Sequence, residues 1–95
     1  MTQSHPVIVQ WSDEKKSALP TSGEYITVAR FEEDRSAWPA KAWSVALQIH
    51  GDVTAQPCRA DARFLSQDAP HDRLRPGVRF ELLEGTRVTA VVDVV

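Results

Sequence analysis

An all-β domain, closed as a small barrel, is the fold class that the sequence predicts, and three observations lead there. Apolar and polar residues alternate with period two through nearly every ordered segment from Tyr25 onward, the pattern of half-buried strands. No window carries apolar residues at i, i+3, i+4 and i+7 over three turns, so long helices are not expected. Pro or Gly falls in most of the gaps. The chain is thereby cut into five or six short strands, which bury one face each only by closing into a barrel or stacking as a sandwich, and a barrel is the expected form. Its 95 residues fit a single core, because two would each fall near the size that needs disulfides or metals.

Taken in order, residues 6–11 form a β-rich run, Pro-Val-Ile-Val-Gln-Trp, read as an edge strand or extended arm. Residues 12–24 are polar and hold Pro20 and Gly23, which interrupt helix and ladder alike, so this stretch reads as a loop with at most one helical turn. Residues 25–31 are dense in β-branched and aromatic side chains and make the next strand. In the following strand Trp43, Val45, Leu47 and Ile49 alternate with Ser44, Ala46, Gln48 and His50, until Gly51 and Asp52 turn the chain. Ala60, Ala62 and Phe64 alternate with Asp61, Arg63 and Leu65 between two prolines. Val78, Phe80 and Leu82 alternate with Arg79, Glu81 and Leu83; a tight connection at residues 84–86 follows, and Val88, Ala90, Val92 and Val94 continue the inward series. That last pair is a hairpin.

Composition narrows the function classes. With 42% hydrophobic and 25% charged residues, four Gly and six Pro, the chain is ordinary globular material, neither disordered nor fibrous. Its longest apolar runs are three residues (7–9 or 90–92), too short for a transmembrane helix or a signal-peptide core, so no membrane role is expected. Thirteen acids against eleven Lys plus Arg give a net charge of −2, which lacks the global positive charge of most nucleic-acid binders. The one cysteine, Cys58, has no partner for an internal disulfide and suits a reducing compartment, with the cytoplasm expected.

The histidines, the cysteine and the charged side chains are the candidates for chemistry. His5, His50, Cys58 and His71 are too far apart in sequence to form the close ligand pairs that hold zinc, so no metal or cofactor is expected. Cys58 beside Arg59, together with His71 and Asp72, would make a small Cys/His-dependent enzyme if the fold joined them. Asp61, Arg63, Arg79 and Glu81 read as cross-strand charge pairs on the outside of the barrel. Asp61, Glu81, Glu84 and Asp93 would supply a catalytic acid and base only if two of them faced one cleft. Arginines 59, 63, 73, 75, 79 and 87 are interleaved with Asp61, Asp68, Asp72, Glu81 and Glu84. That nearly neutral stripe makes an RNA-binding barrel the lesser alternative. Trp43 opens the inward series of its strand, Trp11 is suited to staple the N-terminal arm over a barrel end, and Trp38 is the candidate for an exposed aromatic anchor.

Residues 77–92, Gly-Val-Arg-Phe-Glu-Leu-Leu-Glu-Gly-Thr-Arg-Val-Thr-Ala-Val-Val, resemble the end of the C-terminal barrel domain of elongation factor Tu. There too a Gly-x-Arg-Phe strand meets a Glu-Gly turn, an Arg and a final Val-rich strand. Residues 25–32 look like that domain's opening strand, 38–43 sit where it has its loop into the second strand, and 59–65 and 74–77 match the rest in order. The resemblance implies a six-stranded Greek-key barrel of the translation-factor type over 25–95, with 1–24 as its N-terminal arm and loop in a single domain. It does not bring GTPase activity, since Gly at 23, 51, 77 and 85 only leaves no phosphate-cradling loop. The tRNA-contacting segment of the family is replaced by residues 36–41, Ser-Ala-Trp-Pro-Ala-Lys, so tRNA binding does not carry over. Arg87 alone falls on a matching arginine. The expectation is a non-catalytic interaction module that binds a protein partner, with Trp38, Lys41, Arg73, Arg75 and Arg87 as candidate contacts.

Overall fold

The computed structural model describes residues 4–13, 15, 19, 23–32, 43–55 and 58–95. Six strands, His5–Trp11 (β1), Glu24–Phe31 (β2), Trp43–His50 (β3), Cys58–Phe64 (β4), Arg79–Glu84 (β5) and Arg87–Val94 (β6), close into an antiparallel barrel in the order β1-β4-β3-β2-β5-β6. Strands β2, β3 and β4 follow one another as hairpin neighbours and β5 returns beside β2, which is a Greek key. The expected fold class is therefore present.

β1 is neither an edge nor an arm. It pairs with β4 on one side and β6 on the other, and Val7, Val9 and Trp11 point into the core. Closure leaves no open edge, because each strand's backbone groups are claimed on both sides.

The interior is filled as the alternation requires. Val45, Leu47 and Ile49 from β3, Cys58, Ala60, Ala62 and Phe64 from β4, Phe80 and Leu82 from β5, and Ala90, Val92 and Val94 from β6 are all buried in one cluster. Trp43 packs against that cluster, half-buried. The alternation fails at one place. A bulge between Leu82 and Leu83 pairs Leu82 with Ala90 but Leu83 with Val88, so Thr89 is an extra residue on β6 and the parity resets. Val88, expected inside, thereby shares the outer face with Leu83, while Thr89 turns inward and is buried.

Strand direction sorts the connections between the two ends of the barrel. One end carries the last residue of β2, Phe31, the first residues of β3 and β5, and the last of β4, Phe64. The other carries Trp11, Glu24, Cys58, Glu84 and Arg87. Among the described residues no helix is long and apolar enough to cross a membrane; a 3-10 turn, His71–Arg73, lies between β4 and β5.

Candidate interaction surface

The Phe31 end is capped by the connection of residues 65–78, which runs from β4 to β5, two strands that are not neighbours in the sheet. Phe31, Phe64 and Phe80 form an aromatic floor, with ring centroids 5.7 Å and 4.7 Å from Phe31 to the other two. Leu74 and Ala69 drop from the connection into this core and are buried. The His71 ring stands edge-on to Phe64 at 5.6 Å and its Nε2 lies 3.0 Å from the Gln67 carbonyl oxygen, while the Arg73 guanidinium sits 5.7 Å from the Phe31 centroid. The backbone is tied as firmly. Amides of Ala69, His71, Arg73, Leu74 and Val78 donate to carbonyls within the connection, and the Gly77 amide donates 2.9 Å to Val94 at the end of β6. A connection of this length without a strand of its own is unusual in a small domain, and such ordered loops are more often functional than incidental.

The cap presents residues 65–68, 72 and 75–77 to solvent. Leu65 is 44% exposed. Arg75 is exposed; its Nη1 donates 3.0 Å to the Asp72 carbonyl and no described carboxylate pairs with it. The turn behind it is closed by the Val78 amide donating to the Arg75 carbonyl, with Gly77 at φ +92, a conformation that costs any other residue. Of the five candidate contacts, Arg73 and Arg75 are on this end. Arg87 is not: it opens β6 at the opposite end, opposite Glu84 in register. Trp38 and Lys41 lie outside the described residues.

The opposite end is closed by a polar cluster that alternation does not reveal. The Tyr25 hydroxyl donates to Glu84 Oε2 at 2.5 Å, the Lys15 ammonium donates to the same oxygen at 2.6 Å, and that ammonium stands 4.9 Å over the Tyr25 ring. The Thr89 hydroxyl lies 3.0 Å from the Tyr25 oxygen and 3.3 Å from the Leu82 carbonyl, with one proton to share between them. Trp11 stands edge-on to Tyr25 at 5.3 Å and its indole N–H donates 3.2 Å to the Val53 carbonyl. Burial, with the Glu84 carboxylate next, pushes the Tyr25 phenol up to about 12. Glu84 is held below its ordinary value by the hydrogen bonds from Lys15 and Tyr25. A phenol so raised is a poor base or nucleophile at neutral pH, and the cluster reads as a plug.

Cys58 and His71 are not brought together. Cys58 begins β4 inside the barrel with no exposed surface, and His71 packs on Phe64 at the far end of the same strand. Burial raises the Cys58 thiol, so a thiolate is disfavoured where it sits. Of Asp61, Glu81, Glu84 and Asp93, only Glu81 lines the groove beside β5, where Glu32 is the other described carboxylate. The outer carboxylates each have a polar partner: Glu81 accepts Arg30 Nε and Nη2 at 3.0 and 2.7 Å, Asp93 accepts Arg79 Nε at 2.7 Å, Asp61 lies 2.9 Å from His50 Nε2, and Glu24 is 3.4 Å from Arg63 Nη2. Asp61, Arg63, Arg79 and Glu81 thus make the cross-strand contacts the alternation suggests, to His50, Glu24, Asp93 and Arg30 respectively. Arg63 reaches over β3 because its register partner there is the small Ala46. Among the described residues no three His, Cys, Asp or Glu side chains are grouped to hold a metal.

No family model, curated protein or solved structure matches the chain.

Proposed function

We propose that this chain is a non-catalytic interaction module, a free-standing barrel of the elongation factor Tu C-terminal type without GTPase activity, which binds a protein partner in the cytoplasm through its Phe31 end. One observation carries the reading: residues 65–78 form a connection locked to the core by Leu74 and Ala69 that leaves Leu65 and Arg75 exposed. A surface already held in place has little ordering entropy left to lose on binding, and an apolar side chain beside a guanidinium that is held by the Asp72 carbonyl and paired with no described carboxylate suits a protein surface better than a nucleic-acid backbone. Binding to RNA has less support, since Arg30, Arg63 and Arg79 already face carboxylates and so offer little uncompensated charge to phosphate. A Cys/His enzyme has less again, given the separation of Cys58 from His71.

The test is capture from an extract of the source cells on the immobilised protein at moderate salt, followed by affinity measurement with the retained protein. Leu65→Asp combined with Arg75→Glu is expected to weaken binding at least about tenfold, the loss of one hot-spot contact. Arg59→Glu, exposed on the outside of β4, is expected to bind as the parent does. Equal affinity of the double variant, or retention abolished by ribonuclease, overturns the proposal.

A further inference from the structure

We draw no further inference here: the strongest candidate, the groove of about 400 Å³ on the outside of β5 lined by Arg30, Glu32, Arg79 and Glu81, carries none, because its guanidinium groups are already bound to Glu81 and Asp93 and nothing in the structure shows what would fill it.

Discussion

Alkaline titration of the folded protein interrogates the plug at the Glu84 end, and it does so cleanly because the chain holds a single tyrosine. Tyr25 is 9% exposed, and its phenol is pushed from the ordinary 10.0 to about 12, first by burial and then by the neighbouring Glu84 carboxylate. A group whose folded value is raised holds its proton more tightly in the native state. Its contribution to stability is therefore complete below the unfolded value near 10 and is lost as the pH rises through about 12. Two units correspond to about 2 to 3 kcal/mol at most, a sizeable part of the stability of a domain this small. The assay is the near-ultraviolet absorbance of the phenolate, followed together with the tryptophan circular dichroism that reports the intact core. Two variants move the midpoint in opposite directions. Glu84→Gln removes the negative charge and lowers the midpoint, without returning it to 10 because burial remains. Thr89→Val removes a hydroxyl that steadies the phenolate and raises it. A midpoint near 10 with the tryptophan signal still native, or the same midpoint in both variants, would refute the account of the plug.

Leu74→Ala should cost about 2 to 4 kcal/mol, since a fully buried leucine leaves a cavity under the cap, and amide exchange should rise first at His71, Arg73 and Val78; a loss below ~1 kcal/mol with unchanged exchange there would show that the cap is not anchored through this residue. Cys58, without exposed surface and with its thiol raised by burial, should react with an aromatic disulfide reagent only as fast as the barrel opens, so labelling at the rate of a free thiol in native buffer counts against the β4 register. Gly77→Ala, at φ +92, should destabilise by roughly 1 kcal/mol from backbone strain alone, measured by urea unfolding; an unchanged midpoint would mean the turn behind Arg75 has another conformation.

The inward faces of β3 and β4 were legible because each side chain's position depends only on its own parity, as in Val45, Leu47 and Ile49 or Ala60, Ala62 and Phe64. Parity does not say what lies beside a strand, so residues 6–11 read as an arm although β1 is paired on both sides. It also carries no warning of the bulge at Thr89, where neither Gly nor Pro marks the break. The extra residue there places a hydroxyl beside Tyr25, giving a buried phenol a second partner that strict alternation would have replaced with Val88.

The plug and the outer charge pairs were harder to read for the same reason on a larger scale. Their contacts join residues distant in the chain: Lys15 to Glu84 across 69 positions, Tyr25 to Glu84 across 59, and Arg30 to Glu81 across 51. Local sequence sets which residue types are available to such pairs but leaves the pairing to topology. Arg75 and Arg87 illustrate the consequence. Both follow acidic or turn-forming segments and look equivalent in sequence, yet they stand at opposite ends of the barrel, and Glu84, opposite Arg87 in register, has already taken Lys15 and Tyr25 as partners. Since β4 and β5 are not neighbours in the sheet, the chain between them must cross the Phe31 end, and burying Leu74 in that crossing is what leaves the adjacent Arg75 projecting outward. The surface proposed to bind a partner is thus a product of the Greek-key order itself.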